Sequence, residues 1–239
     1  MDLGDPTRSV TPTLDGPVLA VLARSGRPLT VGDVASETPR GSEIGVRRCL
    51  ARLVDQGIVQ ATEMGRNRVH QLNKDHVAAP VAMILADLRI ELWKRMREVI
   101  GRWKPKPLYA CVFGSAARGD GDIESDVDLL LIHPQFHGDR KPPRRTSLLE
   151  GFTAMLFAPV PATPPEERRW PGQVDRLRTQ VQAWSGNMLQ VVDLSVAEWI
   201  EQNQTGGLAA EVRSDAVELI GMLGYGGPAP EKSTGTTGG

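Results

Sequence analysis

Two short stretches of this chain place chemically capable residues at a telling spacing. The first is Phe113-Gly114-Ser115-Ala116-Ala117-Arg118-Gly119-Asp120, and the second is Ser125-Asp126-Val127-Asp128-Leu129. If a strand ends at Gly114 and a helix starts at Ser115, the first free N–H groups of that helix form an anion site at the strand's end. Gly114 has no side chain, so a phosphate can approach the backbone closely. Ser115 adds a hydroxyl donor, and Arg118, one turn on, can add a charge-assisted contact. Asp126 and Asp128 stand at i and i+2 of the next strand, so their carboxylates point to one face. Two adjacent carboxylates repel unless neutralised. Beside a phosphate site the natural neutraliser is Mg²⁺, which takes a carboxylate or two together with phosphate oxygens and water.

These residues need a small sheet to hold them. Leu108 to Phe113 is an apolar run that predicts a strand, Ser115 to Arg118 starts a helix, and Asp126 to Ile132 predicts a second strand. Residues 134–169 hold two proline-rich stretches, Lys141 to Arg145 and Ala158 to Arg169, around an apolar helix near Leu148 to Phe157. Part of this region reads as a loop. Val174 to Trp184 predicts a helix and Met188 to Leu194 a third strand. Ser195 caps a helix through Ile200, and Leu208 to Leu223 reads as a last helical region. His133 and His137 have i, i+4 spacing, but Pro134 argues against a continuous helix, so they read as loop residues. Cys49 and Cys111 read as core.

Upstream, residues 16–74 carry their own pattern. Pro17 to Arg24 predicts a short amphipathic helix and Gly26-Arg27-Pro28 a break. Thr30 caps a second helix and Ser42 a third, in which Val46, Cys49, Leu50, Leu53 and Val54 recur at helical spacing. Ile58 to Glu63 and Val69 to Leu72 predict two strands joined by the basic turn Met64-Gly65-Arg66-Asn67-Arg68. Residues 77–103 predict one long helix with Pro80 in its first turn. The organisation expected is therefore α+β: a tail over 1–14, a helix-and-hairpin domain over 15–76, a helical connector over 77–106, an α/β domain with a small mixed sheet over 107–224, and a tail over 225–239.

Gly-Ser, ten residues, then Asp-x-Asp resembles the signature of the DNA polymerase beta-like nucleotidyltransferase superfamily. Gly-Ser-Ala-Ala-Arg-Gly with Ser-Asp-Val-Asp-Leu looks most like its minimal branch. The resemblance implies in-line attack of an acceptor hydroxyl on the α-phosphate of a nucleoside triphosphate. Two Mg²⁺ ions, replaceable by Mn²⁺, would be held by Asp126 and Asp128, with Gly114, Ser115 and Arg118 on the nucleotide. It also implies a third carboxylate on a later strand. Asp193, acidic within the apolar run Met188 to Leu194, is the candidate. Family acceptors include HEPN-type toxins, RNA and small molecules.

The three helices followed by a basic hairpin resemble a winged helix-turn-helix domain. That likeness implies DNA binding through Arg47, Arg48 and Arg52 on the third helix and Arg66 and Arg68 on the wing. The modest local charge suggests a homodimer with one half-site per monomer.

Over 239 residues the formal net charge is −1, which excludes a uniformly basic nucleic-acid coat. Two cysteines exclude a disulfide framework. The start Met1-Asp2-Leu3-Gly4-Asp5 has no basic or apolar leader character. No run approaches the ~20 apolar residues of a membrane span, so a cytoplasmic location is expected. A competing reading stays open: a DNA-binding transcriptional regulator whose nucleotidyltransferase fold only senses nucleotide, which a missing third carboxylate would favour.

Overall fold

The computed structural model describes residues 1–140, 161–205 and 207–221. The expected helix near Leu148 to Phe157 and the tail over 225–239 lie outside these residues. The described chain is a mixed α+β protein with two small sheets and falls into two compact units. One is built on residues 1–93 with 119–125 and 185–187, the other on the described residues among 94–118, 126–184 and 188–221.

The first unit holds α1 (Asp15–Ser25), β1 (Leu29–Thr30), α2 (Val31–Glu37), α3 (Glu43–Asp55), β2 (Val59–Met64) and β3 (Asn67–Leu72). Thr30 caps α2 in a reciprocal box with Asp33, and the Ser42 hydroxyl accepts from the Gly45 N–H at the start of α3. These caps satisfy N–H groups that a helix cannot satisfy itself. Val18, Leu22, Val34, Val46, Leu50 and Leu72 fill a common core. The strands pair antiparallel in the order β1-β3-β2. The β2–β3 hairpin turns at Gly65, whose φ of +62° suits glycine.

Residues 1–14 were expected to be a tail, and the structure corrects this. Leu3 is fully buried. The Arg40 guanidinium, in the turn between α2 and α3, donates to Asp5 Oδ2 at 2.5 Å and to the carbonyls of Thr11, Pro12 and Thr13. The Gly4 N–H donates to the Gly121 carbonyl at 2.6 Å. The segment looks like a tail in sequence because its order comes from Arg40 and Gly121, far along the chain, and not from any local periodicity.

The long helix α4 (Ala79–Gly101) passes from the first unit into the second, with Pro80 in its first turn. The second unit continues with β4 (Tyr109–Phe113), α5 (Gly114–Arg118), β5 (Val127–Ile132), α6 (Pro164–Ser185), β6 (Leu189–Leu194), α7 (Val196–Thr205), α8 (Gly207–Asp215) and β7 (Val217–Ile220). The sheet order is β6-β5-β4-β7, with β5–β6 parallel and the other pairs antiparallel.

Two expectations change here. Helix α6 starts ten residues before Val174 and includes Pro171. The region from Leu208 is not all helix: it ends as strand β7 along β4. On one sheet face Cys111, Phe113 and Leu130 pack with Trp199, Leu208 and Val212 of α7 and α8. On the opposite face the indole of the buried Trp170, from α6, reaches Asp193.

Candidate active site

Strand β4 delivers Phe113 opposite Asp128 of β5. The chain then turns through Gly114 at φ +70° directly into α5. A β-carbon at Gly114 would lie 2.8 Å from Asp128 Oδ2, closer than real contacts allow. Glycine is thus required twice at this position, by the left-handed backbone and by the carboxylate beside it. Asp126 stands one residue before β5 and Asp128 is its second residue, so strand alternation sends both carboxylates to one face. The Asp128 carboxyl is pushed above the usual carboxylate range, first by burial and then by the negative charges of Asp126 and Glu211. Two like charges held in a half-buried place create a demand for a cation.

Not every residue selected from sequence arrives at this place. Ser115 lies in the first turn of α5, half-buried. Arg118 ends α5 and pairs with Asp215 of α8 at 2.8 Å. Asp193 is not brought to the pair. In the parallel register Asp128 is opposite Gln190 and Leu131 is opposite Asp193. Asp193 is therefore three positions further along β6, about 10 Å, and on the other face. There it accepts a 2.7 Å hydrogen bond from Trp170 Nε1. The isolated carboxylate beside Val191 and Val192 does find a partner, but the partner is an indole.

The β6 residue that reaches the pair is Gln190, whose Nε2 donates to Asp126 Oδ2 at 3.2 Å. Alternation alone separates Gln190 from Asp193, since their offset is odd. Choosing between them needs the β5–β6 register, which no local motif announces. Glu211 was also missed: it lies far along the chain, on an exposed turn of α8.

Among the described residues no group of three or more His, Cys, Asp or Glu side chains is arranged to hold a metal ion. Asp126 and Asp128 provide two carboxylates. That fits Mg²⁺ bound together with substrate phosphates, and does not fit an all-protein cage.

The arginines of the helix-and-hairpin unit divide as well. Arg47 pairs with Glu43 at 2.7 Å and Arg52 pairs with Asp15. Arg48 is exposed on α3, and Arg66 and Arg68 are exposed around the hairpin turn. His133 is buried at the end of β5, stacked on Phe136, and Cys49 and Cys111 are buried.

Residues 92–170 match the family model of the nucleotidyltransferase domain. The matched stretch contains β4, Gly114, Ser115, Asp126 and Asp128 and ends before β6. No curated protein and no solved structure matches the chain. The domain match supports nucleotidyl transfer in general. No helix among the described residues is long and apolar enough to cross a membrane.

Proposed function

We propose that the protein is a metal-dependent nucleotidyltransferase of the polymerase beta type. It would transfer a nucleoside monophosphate from a nucleoside triphosphate to a hydroxyl of a protein, an RNA or a small molecule, coupled to DNA binding by residues 15–76 acting as a winged helix. The observation that carries the reading is the approach of Gly114 to Asp128, which puts a side-chain-free turn against one carboxylate of the Asp126–Asp128 pair inside the matched domain.

In the reaction the acceptor hydroxyl gives up its proton to solvent and its oxygen forms a bond to the α-phosphorus. The bond from that phosphorus to the bridging oxygen breaks, and pyrophosphate leaves with the electron pair. Asp126 and Asp128 would hold the divalent cation, Mg²⁺ or Mn²⁺, whose chemistry is charge neutralisation on the phosphates and a lowered pKa for the attacking hydroxyl. Gly114 gives the triphosphate access to backbone N–H groups, and Ser115 adds a donor. Arg118 is tied to Asp215, so contact with phosphate would require exchange of that pair.

A HEPN-type protein is one acceptor consistent with the sequence resemblance. DNA binding by a homodimer rests on exposed Arg48, Arg66 and Arg68, with Arg47 and Arg52 already paired to carboxylates.

The test is label transfer from each α-labelled triphosphate with Mg²⁺ or Mn²⁺, in the presence of RNA, lysate or no acceptor. The native chain should label an acceptor, and Asp126→Ala and Asp128→Ala should not. Equal labelling by either variant refutes the reading. The placement of Asp193 on the other face favours a second reading, a DNA-binding regulator that senses nucleotide. Nucleotide binding without transfer under every condition would select it.

A further inference from the structure

We propose that Gln190 is the positioning residue of the Asp126–Asp128 pair, and that its neutrality makes divalent-cation binding at that pair depend on a bound triphosphate. The proposal rests on the nucleotidyltransferase reading and deepens it. The parallel register of β5 and β6 sets Gln190 directly beside Asp128. Its amide donates to Asp126 Oδ2 at 3.2 Å. One residue on the neighbouring strand thus bonds the Asp126 carboxylate and pairs in register with Asp128. It is the single place on β6 from which a third acidic ligand could join them, because Val192 and Leu194 occupy the rest of that face.

An amide there does two things that a carboxylate could not. It donates a hydrogen bond that fixes the rotamer of Asp126, as outer partners of metal ligands do. It also leaves the ligand set with two carboxylates in place of three, since Glu211 bears on Asp128 through its charge but joins no group of three acidic, His or Cys side chains arranged to hold a metal among the described residues. The cation must then draw its remaining oxygens from water and from phosphate. With the triphosphate absent, the pair has too little charge and too few oxygens to hold Mg²⁺ firmly. With the triphosphate present, the phosphate oxygens complete the shell. The cation and the nucleotide therefore bind as a unit.

The test measures the Mn²⁺ held by the full chain in equilibrium dialysis, with and without a non-hydrolysable α,β-methylene triphosphate, the Mn²⁺ bound by the nucleotide alone being subtracted. For the native protein the nucleotide should tighten Mn²⁺ binding at least about tenfold. Gln190→Glu should tighten nucleotide-free Mn²⁺ binding by about tenfold and shrink the nucleotide effect. Gln190→Ala adds no charge and only frees Asp126, so it should weaken nucleotide-dependent binding by about tenfold, the lower end for lost outer partners. Gln190 is exposed on an edge strand, so both variants should keep the native melting curve. Asp128→Asn in the otherwise native chain is the control and should abolish Mn²⁺ binding by the protein with and without nucleotide. If Asp128→Asn abolishes binding while both Gln190 variants match the native protein, the role of Gln190 is overturned and the catalytic reading stands. If the native protein binds neither Mn²⁺ nor nucleotide, both fall together.

Discussion

Replacing Gly114 with alanine should damage function more than stability, and the geometry says by how much. The residue sits at φ +70°, a backbone state that costs an L-residue about 1–2 kcal/mol. For a chain of this size that corresponds to a fall in Tm of roughly 2–8 °C. The added methyl would stand 2.8 Å from Asp128 Oδ2, but 3.7 Å from Asp128 Cγ and 3.9 Å from Cβ. The clash is therefore with the tip of the side chain and not with β5 itself. Rotation of the carboxylate relieves it at small cost in stability. That same rotation takes Asp128 off the position it shares with Asp126, and displaced ligands or their supports cost about 10–100-fold in metal affinity. Thermal melting of Gly114→Ala, Asp128→Ala and the double variant, with Mn²⁺ titrations of each in the presence of the α,β-methylene triphosphate, separates the two effects. The melting penalty should be nearly the same in both backgrounds, whereas Mn²⁺ affinity should drop in the single Gly114 variant. A Gly114→Ala protein that keeps native Mn²⁺ affinity would refute the close approach as a functional constraint.

Further expectations follow from other contacts. Burial and two negative neighbours raise the folded-state pKa of Asp128 above the ordinary 3.8. The folded chain therefore holds this proton more tightly than the unfolded one, and stability falls as pH rises from about 3.8 through the raised value. Asp128→Asn removes that fall. Without cation it should melt at a higher temperature than the native protein at pH 7 and at the same temperature near pH 3; a lower Tm at pH 7 contradicts the assignment. Asp193→Asn removes the charge from the Trp170 bond, costing about 1 kcal/mol, and should leave label transfer within about threefold of native. Loss of transfer comparable to that of Asp128→Ala would return Asp193 to the centre. Arg40→Ala strips the buried Asp5 of its cation and frees three carbonyls. It should cost about 3 kcal/mol and speed amide exchange over residues 3–13, and unchanged exchange there would show that Arg40 does not order the segment. Arg48→Ala should lower the salt slope of DNA binding by about 1, whereas Arg47→Ala, already engaged with Glu43, should lower it by less; equal effects would mean that the Glu43 pair opens on DNA.

What could be read in advance was whatever local physics determines. Thr30 with Asp33 and Ser42 with Gly45 cap their helices as the residue types imply, because a cap acts over three residues. The Gly114-to-Asp128 juxtaposition was equally legible, since strand, turn and strand lie close along the chain. Two of the misreadings involve partners remote in sequence. Residues 1–14 owe their order to Arg40 and Gly121. Strand β7 is only Val217–Ile220 and owes its state to β4. Helix α6 includes Pro171 although proline opposes an interior helical position.

The exchange of Asp193 for Gln190 shows how such an error changes chemistry. Both residues lie on β6, which follows α6 closely, and both are polar interruptions of an apolar run. Charge alone favours Asp193 as a metal ligand. Parallel pairing settles the matter differently: Asp128 meets Gln190, and the odd offset turns Asp193 toward Trp170. A third carboxylate at the centre would bind a cation ahead of substrate. On the proposed function, an amide that donates to Asp126 would make the cation wait for phosphate oxygens. Register, a property of two strands far apart in the chain, would then decide whether this site is metal-loaded at rest or assembled by its nucleotide.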